Sequence, residues 1–477
     1  MNILHLSAEC YPVAKVGGLG DVVGALPKYQ NKLGVLASVV LPFYDKKFTQ
    51  ENALEQVYLG STELGQKTFD FEVLKAATDT LGFPLYLIKI PGLLDRIEVY
   101  GYPDETEQFV AYQLAVLEWV IKTNFKVDVF HCHDHHSGLV PFLIQHSEKF
   151  NSLTRVASVC TIHNGQYQGW FGWDKFYYLP EVDVSKMGLL DWAGCINPLA
   201  ASVKCCWAYT TVSPSYLEEL KTNSNGLEFL FELEQHKGLG IINGIDTDVW
   251  DPKIDPMITK NYNETSVNKG KETNKAIICA EFNLDPKKPL ITFIGRMVLE
   301  KGADKLPELI KECLNIFRDK VSFLILGSGD KDIEKDFIDI SEYLKDYAAD
   351  IGYNEVLSHR IYASADFILM PSRVEPCGLN QLYALKYGTV PMVRSTGGLK
   401  DSVIDFEDEN GYGIRFEELE LPQMIQAVKR AINLFKNQKK LNQLRKLMMG
   451  LDFSWDQSAQ QYTNLYANLI SKKNDHI

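Results

Sequence analysis

The sequence predicts an α/β protein built from two doubly wound domains, each a parallel sheet with helices on both faces. Three observations predict this class. The chain has 477 residues, which at about 100 to 200 residues per domain suits two or three domains with a sizeable buried core. Short β-rich runs alternate with segments of helical spacing, as in βαβ units. This alternation occurs in two series, one on each side of a polar segment at 257–275.

The first series lies in the N-terminal half, with strands predicted at 3–6, 36–41, 85–90, 127–131 and 156–162. The helix after the first strand is its clearest element, because apolar residues recur at helical spacing and a glycine follows that can end the helix in the left-handed conformation. The residues that carry this pattern are Val22, Ala25, Leu26, Tyr29, Leu33 and Gly34.

The second series begins after 257–275, which is rich in lysine and asparagine and is interpreted as a surface connection near a domain boundary. Strands are predicted at 290–294, 321–326, 367–370 and 390–393, with helices at 306–317 and 379–387.

At the C-terminal end, Ser454 and Gln457 form a capping-box pair before one apolar stripe, which needs a surface to pack on. The stripe consists of Trp455, Ala459, Tyr462, Tyr466 and Leu469. We predict an N-terminal domain at 1–245, a C-terminal domain at 246–453, and a last helix at 454–477 that packs back on the N-terminal domain.

Composition and charge exclude several classes of protein. The 49 Lys and Arg residues against 62 Asp and Glu give a net charge of −13, which disfavours a nucleic acid partner. The nine cysteines form no CxxC pair, which suits a reducing compartment. The N-terminus lacks a basic region followed by an apolar stretch, and no run of about 18 apolar residues occurs, so we expect neither export nor a membrane partner. We expect a cytoplasmic protein, or one in a plastid-type soluble compartment if the source is plant-like.

Ligands of open α/β sheets bind where strands end and helices begin, so the loops there are the most informative segments. The first strand is followed by Lys15-Val16-Gly17-Gly18-Leu19-Gly20-Asp21, which would place backbone N–H groups and a cation beside a bound anion. We interpret this loop as a phosphate site; a tight turn without a ligand is the alternative. A dinucleotide site based on Gly18, Gly20 and Gly24 is disfavoured, because no acidic residue ends the second strand to hold a ribose.

The second domain carries further signs of an anion site. Arg296 ends a strand and Lys301 follows, which places two cations near a helix N-terminus. A second glycine-rich loop, Ser395-Thr396-Gly397-Gly398-Leu399, also follows a strand, so a nucleoside diphosphate is favoured over a pair of solvated charges. Glu375 follows the strand at 367–370, where a carboxylate could bind sugar hydroxyls or stabilise positive charge on an anomeric carbon; a helix-cap glutamate is the alternative.

Two other clusters could be metal sites. The run His131-Cys132-His133-Asp134-His135-His136 permits a zinc hypothesis, but a polar cluster at a strand end serves equally well to bind sugar hydroxyls, which we prefer. Asp246 and Asp248 form a D-x-D pair beside the predicted linker rather than within the anion loops, so we interpret it as structural.

Together these motifs resemble the glycogen and starch synthases of glycosyltransferase family 5, within the two-domain GT-B glycosyltransferases. The resemblance runs from residue 1 to at least 470 and rests on five ordered motifs. They are K-[TV]-G-G-L-[AG]-D at 15–21, H-N-x-x-Y-Q-G at 163–169, R-x-x-x-x-K-G at 296–302, P-S-R-x-E-P-C-G-L at 371–379 and T-G-G-L at 396–399.

The resemblance implies two Rossmann-like domains that face an interdomain cleft and close for catalysis. It implies transfer of glucose, with retention, from a nucleotide sugar to the 4-hydroxyl at the non-reducing end of an α-1,4-glucan. ADP-glucose is expected ahead of UDP-glucose as donor. No cofactor or metal is expected.

The resemblance also implies roles for individual residues. Lys15 would contact the donor phosphates, with the amides of Gly17 and Gly18 beside them. Arg296 and Lys301 would stabilise the departing diphosphate, joined by the backbone of Thr396, Gly397 and Gly398. His163, through its backbone carbonyl, and Glu375 would orient the glucose, with Cys377 close by. The other residues implied to bind substrate are Asp134, which would hold the glucose or the acceptor end, Tyr353 near the base, Asn243 in the cleft, and Asp21, Asn164, Gly378 and Leu379 within the motifs.

Two rival functions remain at this point. One keeps the fold and changes the donor or acceptor, as in a sucrose synthase. The other is a glucan-binding scaffold with weak or no turnover, which the presence of the charged donor residues disfavours. The sequence departs from the family pattern at His135, where tryptophan is usual, and at Glu300, where many members carry glutamine; Tyr383 replaces the ribose-binding glutamate of other GT-B families, which is typical of this family.

Overall fold

A computed structural model of the chain describes residues 1–78 and 80–474. The strands within these residues are β1 (Asn2–Leu6), β2 (Leu36–Pro42), β3 (Leu54–Leu64), β4 (Lys67–Ala76), β5 (Leu85–Lys89), β6 (Val129–His133), β7 (Ala157–Ile162), β8 (Asp191–Trp192), β9 (Cys195–Ile196), β10 (Ala208–Thr211), β11 (Gly238–Gly240), β12 (Leu290–Met297), β13 (Ser322–Gly329), β14 (Tyr347–Ile351), β15 (Phe367–Met370), β16 (Val390–Arg394) and β17 (Ile414–Phe416). The helices are α1 (Gly18–Lys32), α2 (Lys47–Glu51), α3 (Glu105–Thr123), α4 (Val140–His146), α5 (Pro198–Cys205), α6 (Pro214–Leu220), α7 (Glu228–Leu233), α8 (Val267–Glu281), α9 (Leu306–Phe317), α10 (Lys331–Ser341), α11 (Glu355–Ser364), α12 (Asn380–Lys386), α13 (Gly397–Ser402), α14 (Leu421–Lys436), α15 (Gln438–Met449) and α16 (Trp455–Asn474).

The first of two compact units consists of Met1–Asn243 together with α16. Its main sheet has the strand order β11-β10-β7-β6-β1-β2-β5-β4-β3. The pairings are parallel from β11 to β5, whereas β4 pairs antiparallel with both β5 and β3. The β3–β4 hairpin at the edge of the sheet was not predicted, because the residues of β3 are mostly exposed and polar.

Strand β1 shows how this sheet is buried on both faces. Ile3 packs with residues of α1 and α16, while Leu4 and Leu6 point to the opposite face, where they pack with α3 and α4. This alternation follows from the two-residue period of a strand. The predicted stripe on α16 is buried against α1 and the sheet, with Trp455, Ala459, Tyr462 and Tyr466 each nearly inaccessible to solvent.

The second unit spans Gly244–Ser454. Its six-stranded sheet has the order β14-β13-β12-β15-β16-β17 and is parallel throughout. Residues Ile245 and Ser454, at the two ends of this unit, form an isolated parallel bridge, and the N–H of Ile245 donates to the carbonyl of Phe453 at 2.8 Å. The chain therefore enters and leaves the unit at adjacent points.

The prediction of a surface connection at 257–275 is wrong. Ile258 and Tyr262 are buried, and helix α8 begins at Val267. Three polar residues of α8, Lys271, Asn274 and Lys275, are buried. Lys271 Nζ donates to the carbonyls of Tyr362 and Tyr387 and to the Thr389 hydroxyl. The polar composition of 257–275 suggested that this segment is exposed to solvent. Polar side chains can nevertheless be buried where their hydrogen bonds are satisfied.

A buried ion cluster joins three elements of the second unit. Asp366, just before β15, accepts from Lys275 Nζ and Arg445 Nη2, each at 2.6 Å, and from the backbone N–H of Leu290 at 2.9 Å. Despite burial, the pKa of Asp366 lies below its usual value because of these two cations. The cluster ties α8 and α15 to the sheet.

Among the described residues, no helix has both the length and the apolar character that crossing a membrane requires.

Candidate active site

The glycine-rich loop after β1 brings together several of the predicted substrate-binding residues. Lys15 Nζ lies 2.7 Å from Asp21 Oδ1, on the first turn of α1. Helix α1 starts at Gly18, with Gly17 as its extended N-cap residue. A lysine therefore lies beside a helix N-terminus, an arrangement that favours an anion.

Glu9, which the sequence analysis did not single out, is the buried partner of this loop. Its Oε2 accepts the backbone N–H groups of Val16 at 2.6 Å and Gly17 at 2.9 Å. Its Oε1 accepts the hydroxyl of Tyr100 at 2.7 Å. The amide of Gly17, expected beside the donor phosphates, is thus already hydrogen-bonded to a carboxylate. The sequence signal that could have identified Glu9 is its position shortly after the carboxyl end of β1.

Asp134 follows β6 in an uncommon backbone conformation, with φ 54° and ψ −168°. Its Oδ1 accepts the backbone N–H of His163 at 2.7 Å, and the carboxylate also accepts the N–H of Asn164. Burial raises its pKa to about 7, against the lowering effect of these two hydrogen bonds. Asp134 therefore clamps the start of the H-N-x-x-Y-Q-G segment to the end of β6.

The side chains of His163 and its neighbours form a buried polar layer. His163 Nε2 lies 3.0 Å from His133 Nδ1. Burial lowers the pKa of His163 to about 3, so its imidazole is neutral at pH 7. Asn164 Oδ1 accepts the N–H of Gln166 at 3.0 Å, which shapes the following turn. The Asn243 side chain is buried, and its Oδ1 meets no hydrogen-bond donor in residues 1–78 and 80–474.

Two groups of side chains have the composition of a metal site among the residues that were described. In His5, His131 and His133 the ring nitrogens are engaged in hydrogen bonds with protein groups. In the second group, Glu105, His135 and His136, the two imidazole centroids lie 3.7 Å apart. That separation is too short for two in-plane lone pairs to converge on one tetrahedral ion. We therefore assign neither group to a metal.

In the second unit, sheet order brings the proposed donor residues together. Strands β12, β15 and β16 are neighbours, and the loops after them carry Lys301, Glu375 and Gly398. Lys301 Nζ lies 2.7 Å from both carboxylate oxygens of Glu375, which is only 5% exposed. The Ser372 hydroxyl donates to Glu375 Oε2 at 2.9 Å, a contact not predicted from sequence.

Glycines allow these loops to approach one another closely. A Cβ on Gly302 would lie 2.1 Å from the carbonyl oxygen of Pro371, and one on Gly398 would lie 2.1 Å from that of Cys377. The N–H of Gly398 donates to the carbonyl of Glu375 at 3.0 Å. Both loops that follow β15 and β16 are therefore packed backbone to backbone, which fixes the position of Glu375.

The remaining predicted residues of the second unit differ in their exposure to solvent. Arg296 is 56% exposed, and its Nη2 lies 3.4 Å from Glu300 Oε2. Tyr353 is 78% exposed. Thr396 and Cys377 are buried, Gly378 and Gly397 have positive φ, and Leu379 immediately precedes α12. Arg296 is the one residue of this group whose side chain, like that of Lys301, carries a positive charge that could bind an anion.

The D-x-D pair takes part in a local turn. Asp246 Oδ1 accepts the N–H of Asp248 at 3.0 Å, which forms a turn.

Chemically, the second unit presents the Lys301 cation beside the buried Glu375 carboxylate, which suits a departing diphosphate next to a sugar. The first unit presents a lysine at a helix N-terminus and an aspartate that holds the His163 segment in place. The side chains of Lys15 and Asp21 contact one another, as do the groups of Asp134, His163 and Asn164, and those of Lys301 and Glu375.

Comparison with protein families gives two matches. Residues 2–233 match the family described as the starch synthase catalytic domain, and residues 274–447 match glycosyl transferases group 1.

Relatives match over nearly the whole chain. The glycogen synthase of Flavobacterium johnsoniae is 50% identical over 474 residues, covering 99% of this chain and all of the relative. The glycogen synthase of Bacillus cereus strain Q1 is 38% identical over 483 residues, covering 98% of this chain and all of the relative.

Two solved structures are also similar. The catalytic domain of starch synthase IV from Arabidopsis thaliana, bound to ADP and acarbose, has a TM-score of 0.88 at 31% identity, covering 98% of this chain and 99% of that one. The sucrose-phosphate synthase of Thermosynechococcus elongatus has a TM-score of 0.64 at 15% identity, with 99% of this chain and all of that one covered, and supports the fold alone.

Proposed function

The chain belongs to the glycogen and starch synthase family of GT-B glycosyltransferases, and on this premise we propose that it transfers glucose from ADP-glucose to the non-reducing end of an α-1,4-glucan. The transfer retains the configuration at the anomeric carbon. The donor assignment is supported by the similar Arabidopsis structure, which holds ADP, and the acceptor assignment by the acarbose in the same structure.

The pairing of Lys301 with Glu375 is the observation that carries this proposal for the reaction itself. When the bond from glucose to the diphosphate breaks, negative charge collects on the leaving group and positive charge develops on the anomeric carbon. A lysine and a buried carboxylate 2.7 Å apart supply one group of the needed sign for each. Arg296 adds a second cation for the diphosphate. We assign the backbone of Thr396, Gly397 and Gly398 to the same group; in the structure the N–H groups of Thr396 and Gly398 donate to the carbonyls of Arg394 and Glu375.

The carboxylate of Glu375 is held for this role by its surroundings. Ser372 donates to it and the Gly398 N–H binds its backbone carbonyl, so little reorganisation is needed as charge develops. We assign Cys377, Gly378 and Leu379 to the wall of the glucose site, and Tyr353 to the base.

In the N-terminal unit we assign the backbone carbonyl of His163, together with Asp134 and Asn164, to orienting the glucose or the acceptor end. Asp134 holds the N–H groups of His163 and Asn164, so the carbonyl direction depends on it. We assign Lys15, with Asp21 and the N-terminus of α1 at Gly18, to the donor phosphates, and Asn243 to the substrate site.

We place the reaction in the cytoplasm. All nine cysteines are free thiols, which suits a reducing compartment.

The test is acceptor-dependent release of nucleoside diphosphate. The purified protein is mixed with ADP-glucose or UDP-glucose and a maltooligosaccharide, with EDTA present. We expect ADP release together with growth of the glucan chain. Faster release from UDP-glucose would overturn the donor assignment, and the absence of release with either donor would favour a glucan-binding scaffold.

A further inference from the structure

A continuous chain of hydrogen bonds runs through the buried core of the first unit and ends at His163. It begins at the hydroxyl of Tyr466 on α16, which lies 3.1 Å from Gln30 Nε2 on α1. Gln30 Oε1 lies 2.8 Å from His5 Nε2 on β1. His5 Nδ1 lies 3.0 Å from His133 Nε2, and His133 Nδ1 lies 3.0 Å from His163 Nε2. The proposed substrate site includes none of the four side chains that precede His163, which are those of Tyr466, Gln30, His5 and His133.

A second branch leaves Tyr466 in another direction. The hydroxyl lies 2.7 Å from His131 Nδ1, and His131 Nε2 lies 2.6 Å from the hydroxyl of Thr161. That hydroxyl lies 2.6 Å from the hydroxyl of Thr210.

The strand register explains why these side chains meet. His5 on β1 is the registered partner of His131 on β6, and His133 is the partner of Thr161 on β7. His131 and His133 are two residues apart and therefore point to the same face. That face is the one covered by α1 and α16. The sequence places polar residues where apolar ones would normally pack.

Each imidazole in the chain carries one proton. Burial lowers the pKa of His5 to about 4 and that of His163 to about 3, and it lowers the pKa values of His131 and His133 well below the usual value. A neutral imidazole has one N–H donor and one acceptor nitrogen. Once one ring nitrogen is known to be a donor, the other nitrogen of that ring must be an acceptor, and the neighbouring imidazole must donate to it.

The direction of the chain follows from the orientation of the Gln30 amide, whose Nε2 faces the Tyr466 hydroxyl and whose Oε1 faces His5. The Tyr466 oxygen accepts from the Gln30 amide N–H, so its single proton is donated to His131 Nδ1. The Gln30 carbonyl accepts from His5 Nε2–H, which makes His5 Nδ1 an acceptor. His133 Nε2–H donates to it, and His163 Nε2–H donates to His133 Nδ1. His163 Nδ1 is left with a lone pair. If the Gln30 amide were reversed, every proton along this branch would move, and His163 Nδ1 would carry the proton instead.

We propose that Gln30 and Tyr466 are positioning residues that, through His5 and His133, hold the proton of His163 on Nε2 and keep its Nδ1 as an acceptor for a substrate hydroxyl. The substrate part of this inference rests on the proposed function. Tyr466 takes part by accepting the Gln30 amide N–H while it donates its own proton to His131 Nδ1, so a side chain on the last helix contributes to what the His163 ring can offer.

The first test reads the tautomer of His163 directly. The full-length protein is labelled with ¹⁵N-histidine, and two-bond ¹H–¹⁵N correlations are recorded, with the His163 signals assigned from a His163→Gln sample. We expect the pattern of an Nε2-protonated ring, with Nδ1 in the unprotonated range. An Nδ1-protonated or charged His163 in the unsubstituted protein would overturn the proposal, whatever the variants do.

The second test removes the hydroxyl that accepts the Gln30 amide N–H. In Tyr466→Phe the amide loses its acceptor and both orientations become accessible, so the His163 Nδ1 signal should move towards the average of the two tautomers. The matched control is Tyr209→Phe, which removes a buried hydroxyl that meets no hydrogen-bond partner in the described part of the chain. An unchanged His163 spectrum in folded Tyr466→Phe contradicts the coupling.

Turnover gives an independent readout. Tyr466→Phe should lower kcat for glucose transfer by about fivefold, the effect of losing one neutral hydrogen bond, while Tyr209→Phe leaves it unchanged. Equal loss in both variants would mean that Tyr466 acts only through stability. If the spectra behave as expected but no donor is consumed, the proposed function fails while the hydrogen-bond chain is supported. If glucose is transferred but His163 is protonated on Nδ1, the proposed function is supported while this inference fails.

Discussion

The carboxylate of Glu9 accepts the backbone N–H of Gly17 at 2.9 Å, so a buried acid of the chain itself occupies the amide that was expected to face the donor phosphates. The same oxygen accepts the N–H of Val16, and the other oxygen accepts the Tyr100 hydroxyl. Glu9 therefore fixes the shape of the glycine-rich loop from behind, and Lys15 with the N-terminus of α1 at Gly18 is the part of the loop left for an anion.

Glu9→Gln should loosen this loop. The amide oxygen can still accept the loop N–H groups and the NH2 group can donate to the Tyr100 oxygen. The hydrogen bonds to the loop are then no longer charge-assisted and the Tyr100 proton loses its acceptor, at a cost of about 2 kcal/mol in the free energy of unfolding. We expect a higher KM for ADP-glucose together with a lower unfolding midpoint in urea. Glu63→Gln, at an exposed position of β3, is the control and should change neither quantity.

Lys301→Ala should lower kcat by about 10²- to 10³-fold, or about 3–4 kcal/mol, because it removes a cation preorganised for the leaving diphosphate. The measurement is steady-state ADP release at saturating glucan. The control is Lys331→Ala, which also breaks an ion pair of 2.7 Å, with Glu334, but at a lysine that is 87% exposed. Comparable losses of turnover in the two variants would contradict the assignment of Lys301 to the reaction.

Asp134 predicts a particular dependence of stability on pH. Its pKa is raised in the folded protein to about 7 from a model-compound value of 3.8, so between these values the folded state binds more protons than the unfolded state. Stability contributed by the protonated carboxyl is therefore present below about pH 4 and is lost as the pH rises through 7. The difference in free energy of unfolding between the unsubstituted protein and Asp134→Asn should decline by up to about 4 kcal/mol over this range.

Urea unfolding at several pH values measures this difference, with Asp70→Asn, at an exposed position of β4, as the control. A difference between the unsubstituted protein and Asp134→Asn that stays constant from pH 4 to 8 would show that Asp134 is ionised throughout.

Gly398→Ala tests the close packing of the two loops around Glu375. The added Cβ would lie 2.1 Å from the backbone oxygen of Cys377, so the loops must separate, which should cost about 1–3 kcal/mol. Because Glu375 is held by the same contact, turnover should fall as well. Gly188→Ala is the control, since a Cβ there meets nothing within 4 Å. A fully active and stable Gly398→Ala would mean that the loops tolerate this separation.

The elements predicted correctly from the sequence are those whose local pattern of apolar residues matches the side chains that are buried in the structure. The helix predicted at 306–317 coincides with α9, and the strand predicted at 367–370 coincides with β15. The family, the GT-B fold and the activity were also predicted, because they depend on motifs that keep their order along the chain.

Predictions failed where residues distant in sequence supply what the local pattern lacks. The segment at 257–275 looked like a linker because its lysines were assumed to be solvated, whereas Lys271 donates to the carbonyl of Tyr362 on α11 and Lys275 to Asp366, just before β15. The site residue Glu9 was missed for the same reason: its partners Val16, Gly17 and Tyr100 become visible only in three dimensions. The assignments of individual substrate-binding residues, and the domain limits, stay predictions.

The position of α16 has a consequence for how the protein is made. Its buried stripe completes the core of the first unit, yet some 210 residues of the second unit are synthesised before it. The N-terminal segment therefore leaves the ribosome with α1 and the histidine-bearing face of its sheet uncovered, and it cannot reach its final state until α16 has been synthesised. Shielding of this face during that interval depends on chaperones, and a nonsense mutation between codons 455 and 466 would damage the core of the first unit while leaving residues 244–454 complete.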